Sequence, residues 1–191
     1  MECRAVSLTK MKTRTGLGFT LVELLVVIAV IAVLAAIAFP VFQRTTESGR
    51  ATACVSNLRQ IGAGLSLYLG EHNMIMPALK AGRTSLADDV PVIDNTLDKY
   101  LRDKSVFACP SDDIWATTTG TSYGWNTALN DQSATNLNFL GMVVDAGRIP
   151  VLADKGKKKD GGDVHPYIES KVNILYADGH ATKDVSFFAG Q

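Results

Sequence analysis

The sequence predicts an α+β fold: a long amino-terminal helix packed against a small antiparallel β-sheet with large loops. Three observations predict it. Leu24 to Phe39 is a run of 16 residues without one polar side chain. Beyond Pro40, residues Ala51, Cys54, Leu58, Ile61, Leu65 and Tyr68 recur at steps of three and four, the spacing that gathers apolar groups on one helical face. Near the carboxyl end, Val172, Ile174 and Tyr176 alternate with Asn173, Leu175 and Ala177 ahead of Asp178-Gly179, a tight-turn pair. At 191 residues the chain holds one ordinary domain and an appendage.

Apolar residues make up 47%, an average that conceals how unevenly they are placed. The aromatic content, the absence of glycine periodicity and the missing heptads exclude disordered, collagen-like and coiled-coil classes. The 19 basic and 19 acidic residues cancel, so nothing global advertises nucleic acid binding. The charges are nevertheless divided. Arg4, Lys10, Lys12 and Arg14 against Glu2 give residues 1–18 a net +3, which leaves −3 for the rest of a neutral chain.

A basic stretch before an apolar one reads as a membrane-targeting signal with the basic end cytoplasmic. Pro40-Val41-Phe42-Gln43 offers no good small-x-small cleavage site, so the apolar segment is expected to stay attached. From Phe19 to Phe42 a helix would run about 36 Å, against roughly 30 Å of bilayer hydrocarbon. The expectation is a single pass through a membrane, with the amino end cytoplasmic and the carboxyl-terminal domain on the opposite side.

Glu23 does not fit a plain anchor, because a carboxylate in hydrocarbon is costly unless neutralised, and polar groups inside such a span usually mark a partner. Gly18-Phe19-Thr20-Leu21-Val22-Glu23 resembles the processing site of type IV prepilins and type II secretion pseudopilins. The resemblance implies a type IV pilin-like fold and a prepilin peptidase that cuts after Gly18. It also implies N-methylation of the new terminus Phe19, an inner-membrane assembly platform in a bacterium, and a periplasmic carboxyl-terminal domain. Glu23 would be the fifth mature residue and Pro40 the twenty-second, where many pilins also carry a helix-disturbing proline. In a filament of like subunits, a homo- or hetero-filament, the Phe19 amine of one copy would meet Glu23 of the next, each neutralising the other. A start at Met11 would leave an eight-residue leader, so Met1 and Met11 both remain candidate starts.

The resulting organisation is a leader over 1–18, a membrane-spanning or filament-core helix over 19–42, its amphipathic continuation over 43–70, and a pilin-like α+β domain over 71–191. Gly62 and Gly64 either weaken the second helical half or allow close packing. His72, just past the helix, reads as a capping or surface residue, and Met74 and Met76 as the chain turning back over the core. A copper site on these three is the minor alternative.

Thr96 to Leu101 suggests a short helix capped by Asn95, with Leu97 and Leu101 facing inward. Val106 to Cys109 is a short apolar piece before a turn at Ser111-Asp112. Strands are expected near Gly147–Ala153 and Val172–Ala177, and His180 to Phe188 would return as the partner of the second.

Cys109-Pro110-Ser111-Asp112, Ser122-Tyr123-Gly124-Trp125-Asn126, His165, and Asn173 through Asp178-Gly179-His180 resemble a large bacterial pilin-like family. That family is described by a prepilin-type amino-terminal segment and a carboxyl-terminal box of His, nine residues, Asp-Gly. Here twelve residues separate His165 from Asp178, so an insertion in the box and a different histidine both stay open. The resemblance implies no catalysis.

Cys54 and Cys109 remain after cleavage at Gly18 and would face an oxidising compartment. A disulfide between them is the favoured reading, two buried thiols the alternative. Asp160, Asp163 and Asp178 are the calcium candidates, but Lys157-Lys158-Lys159 lies among the acids and a solvated acidic loop is favoured. His165 and His180 with Asp163 or Asp178 would suit a transition metal, although nothing in the spacing forces convergence. An Asp178–His180 hydrogen bond is the plainer reading. Tyr123 and Trp125 are either a binding patch or, as favoured, a plug in the core.

The motifs for a hydrolase elbow, a zinc protease or a phosphate loop are missing. The reading is therefore a non-enzymatic pilin or pseudopilin subunit without cofactor, its partners being the peptidase, the assembly platform, other subunits and membrane lipid. The alternative is a membrane-tethered periplasmic binding or sensor protein that does not polymerise.

Overall fold

A computed structural model describes residues 19–139, 142–143, 145–155 and 172–183. The chain divides into two units, one ending at Val41 and the other beginning at Phe42. Helix α1, Leu21–Glu71, contributes to both and continues through Pro40.

In the first unit α1 leaves its apolar side chains without cover. Large apolar groups here range from 46% exposed at Val27 to 78% at Leu21. A run that is apolar on every side has no preferred face to bury, and only a surrounding apolar phase suits it. Among the described residues, α1 is the one helix long and apolar enough to cross a membrane.

In the second unit α1 is amphipathic, as the three-and-four spacing predicts. Ala51, Cys54, Leu58, Ile61 and Leu65 are buried, joined by Val55 and Leu69. Opposite lies a four-stranded antiparallel sheet built from β1 (Tyr123–Trp125), β4 (Pro150–Asp154), β5 (Ile174–Tyr176) and β6 (Ala181–Thr182), in the order β1-β4-β5-β6. A separate ribbon pairs β2 (Asn138–Phe139) with β3 (Met142–Val143). Two short helices, α2 (Ile93–Thr96) and α3 (Trp115–Thr119), lie in the long connection before β1. The core joins Leu58, Ile61 and Leu65 of α1 to Leu97, Phe107, Tyr123, Ile149, Leu152 and Leu175.

Glycine lets helix and sheet approach. A Cβ on Gly62 would meet Leu175 Cδ1 at 3.0 Å, and one on Gly64 would meet Leu101 at 3.0 Å. Of the two expectations for these glycines, close packing is the one the structure bears out.

The expected strands are present, with different limits. The β4 strand starts at Pro150 rather than Gly147, because Ala146–Arg148 form a 3-10 turn that Asp145 caps through the Gly147 amide. All three residues of β5 are buried, as both-face burial predicts. The Asp178-Gly179 turn forms with Gly179 at φ 89°, a conformation that suits glycine, and β6 returns antiparallel to β5. The returning strand is expected to reach Phe188, but residues 184–191 lie outside the described ones.

The short helix expected over Thr96–Leu101 lies earlier. Its α-helical turn is α2, and Asp98–Tyr100 is a 3-10 turn. Asn95 is not its cap. Its carboxamide oxygen reaches back to the Val92 amide at 2.9 Å, so local hydrogen bonding starts the turn three residues before Asn95. Leu97 is buried and Leu101 half-buried, both on the core side. The sequence predicts no strand at β1, since three residues centred on Gly124 carry too little alternation to register.

Candidate functional site

The apolar segment begins with a capping box. The Thr20 hydroxyl accepts from the Glu23 amide at 3.2 Å, while Glu23 Oε2 accepts from the Thr20 amide at 2.8 Å and the Thr20 hydroxyl at 2.7 Å. Thr-x-x-Glu is the sequence signature of this reciprocal contact, and it was legible in residues 20–23. The Glu23 carboxylate thus has partners inside its own chain. Phe19 is 76% exposed, and the helix that follows carries exposed apolar groups to Phe42. Gly18, the expected cleavage position, lies outside the described residues.

The second unit holds its own long-range fastenings. Cys54 and Cys109 are joined, with Sγ atoms 2.08 Å apart across 55 residues of sequence. Nearby, the Ser111 hydroxyl donates to Glu47 Oε1 at 2.7 Å, and Asn57 Nδ2 donates to the Ala108 carbonyl at 2.9 Å. The burial of Glu47 has no local signal in the sequence, where the residue stands between the polar Thr46 and Ser48.

A half-buried ionic cluster lies beside α3. Arg83 pairs with Asp94 through Nη2, and its Nε donates to the Thr119 carbonyl at 2.9 Å. Lys155 Nζ donates to the Thr119 hydroxyl at 2.7 Å and the Thr121 carbonyl at 2.8 Å, and stands over the Trp115 ring. Burial pushes Asp94 up, against the pull of Arg83, and pushes Lys155 down. Gly120 takes φ 79°, and a Cβ there would collide with both Arg83 and Asp94. The cluster holds the end of α3 and Thr121 against Lys155, the residue after β4.

Asp112 caps α3 by accepting from the amides of Ile114, Trp115 and Ala116, and from the Ser122 hydroxyl. Ser122 Oγ also receives the Cys109 amide at 2.8 Å. These bonds hold a turn, and Ser122 is buried within it.

Tyr123 and Trp125 are 0% and 3% exposed, so they fill the core and form no surface patch. Burial pushes the Tyr123 hydroxyl well up from its ordinary value. The Trp125 indole donates to Asn130 Oδ1 at 2.8 Å, and Asn130 also bridges both backbone groups of Leu79.

His72 stacks on Tyr68 with ring centroids 3.8 Å apart and bonds the Tyr68 carbonyl through Nδ1 at 2.8 Å. It sits at the helix end, as expected. Met76 is buried in the core while Met74 is exposed.

Of the carboxyl-terminal box, Asn173, Asp178 and Gly179 are described; Asp160, Asp163 and His165 lie outside the described residues. Asn173 is buried and donates to Asp154 Oδ2 at 2.7 Å. Asp178 Oδ1 takes the His180 amide at 3.0 Å and the His180 ring Nδ1 at 2.5 Å, while that ring stacks on Tyr176. Burial pushes the Asp178 carboxyl up, but the His180 contacts outweigh it and hold it below the ordinary value. Among the described residues no three His, Cys, Asp or Glu side chains gather where a metal ion could be held.

Residues 16–39 match a family model, the prokaryotic N-terminal methylation motif. No curated protein matches the chain, and no solved structure does.

Proposed function

We propose that this protein is a non-enzymatic pilin or pseudopilin subunit, inserted through the inner membrane by residues 19–42, cut by a prepilin peptidase after Gly18, and assembled into a type IV pilus-like or type II secretion filament. One coincidence carries the reading. The methylation motif at residues 16–39 overlaps, from Leu21 on, the stretch of α1 whose large apolar side chains stand exposed. A long amino-terminal helix bearing a small antiparallel sheet is consistent with the same class.

The mechanism is assembly. A bilayer keeps the uncovered helix soluble as a reservoir of subunits, and a bundle of like helices offers an equivalent apolar surrounding. The assembly platform draws α1 from one to the other. Cleavage exposes a positive amine at Phe19, four residues from Glu23, so that neighbouring subunits neutralise one another in the filament core. The second unit then decorates the outside.

The Thr20–Glu23 contact favours a second reading. A lone subunit can satisfy Glu23 internally, so a tethered binding or sensor protein needs no neighbour. Intact mass and amino-terminal sequencing of membrane-fraction protein, with and without the peptidase, test the processing step. A peptidase-dependent start at methylated Phe19 is expected. A start at Met1 or Met11 in both strains overturns the proposal and leaves an ordinary anchored domain.

A further inference from the structure

The first buried residue of the whole of α1 is a charged one, Glu47. An apolar residue would bury there at less cost, so a buried carboxylate needs a reason. Its partner is the Ser111 hydroxyl at 2.7 Å, with Arg50 at 4.0 Å from the other oxygen. Ser111 belongs to a four-residue loop that grips α1 at three points. Ala108 offers its carbonyl to Asn57, Cys109 its sulfur to Cys54, and Ser111 its hydroxyl to Glu47. On the helix these positions are separated by seven and three residues, which keeps them near one face over three turns.

The loop is itself secured to the sheet side. The Cys109 amide donates to Ser122 Oγ, and the Ser122 amide to the Phe107 carbonyl at 2.8 Å. From another side Lys183, next to β6, donates to Thr52 Oγ1 at 2.8 Å. Attachments from two parts of the second unit therefore concentrate on the earliest part of α1 that this unit covers.

We propose that residues 108–111 are a fastener that carries tension from α1 into the globular unit, with Glu47 as its receptor on the helix. The inference rests on the reading that α1 is drawn out of a membrane. A pull arriving along α1 from its amino end reaches Glu47 before any other buried side chain, and of the three gripped positions Glu47 comes first, then Cys54 and the half-buried Asn57. Contacts strung along the pulling direction share a shearing load, whereas a single contact at that edge would peel. The two hydrogen bonds retain the grip when the disulfide is open.

The test pulls the full-length protein in detergent micelles between tags at its two termini, with and without reductant. Reduction is expected to speed rupture. In the reduced protein, Ser111→Ala and Glu47→Ala should each speed it further, on the order of tenfold at equal force, from the loss of a bond to a charged group. Glu47→Gln keeps an acceptor and should rescue most of the loss. A variant that merely loosens the core, Leu129→Ala, should weaken denaturant resistance without this selective sensitivity to pulling through α1. Reduced Ser111→Ala and Glu47→Ala proteins that rupture at the reduced parent's rate overturn the fastener. The pulling result is independent of peptidase processing and filament yield, so either idea can fail alone.

Discussion

A Cβ on Gly62 of α1 would stand 3.0 Å from Leu175 Cδ1 of β5, so a larger residue there has to displace the Leu175 side chain. Gly in a helix interior costs about 1 kcal/mol relative to Ala, a cost offset here by the close approach. Gly62→Val should destabilise the second unit by about 1–3 kcal/mol through overpacking. Gly70 has nothing within 4 Å of its own would-be Cβ. There Gly→Ala should stabilise, by up to about 1 kcal/mol. Urea unfolding followed by circular dichroism separates the two, and equal responses would contradict the packing account.

The Cys54–Cys109 bond closes 55 residues of chain. Replacing both cysteines with serine should lower unfolding stability by about 4 kcal/mol on the chain-entropy account. The measurement is the denaturant midpoint of the oxidised protein, the reduced protein and the double variant, with the last two expected to agree. A reduced protein as stable as the oxidised one would show that the bond constrains nothing.

Asp112 gives a pH dependence with a definite sign. Burial pushes its carboxyl up, but the Ser122 hydroxyl and the amides of Ile114, Trp115 and Ala116 outweigh this and hold it below its ordinary value of 3.8. A depressed folded value means the contribution is complete above the unfolded value, near 3.8, and is lost as pH falls through the lower folded one. The stability gap between parent and Asp112→Asn should therefore be constant from neutral pH to about pH 5 and shrink below that. A gap that widens on acidification would reverse the assignment.

Glu23→Ala is expected to block filament formation while leader removal continues, because the unpaired amine is stranded in an apolar bundle. Electron microscopy of sheared surface material and mass analysis of the membrane fraction report the two steps. Normal filaments from this variant would leave the tethered reading as the better one.

Parts of this protein were legible because their signals are local. The apolar run, the three-and-four spacing after Pro40 and the Asp178-Gly179 turn each sit within a few residues of chain, and each produced its expected element. The Thr20-x-x-Glu23 box was equally local, but Glu23 read more readily as an assembly group than as a cap. Asn95 misled for a related reason: a cap-type residue also bonds backward to the amide three residues before it.

The uncovered helix and the motif at its start are written in near neighbours along the chain, and residues 16–42 suffice to read both. The burial of Glu47 under Ser111, the place of Tyr123 and Trp125 in the core, and the approach of Leu175 to Gly62 come from packing between distant segments. Glu47 and Ser111 are 64 residues apart, and Asn57 and Ala108 are 51 apart. Which side chains such distances bring together is fixed by how the whole core packs. A polar residue on a helix has the same local signal whether water or a hydroxyl from a distant loop finally satisfies it.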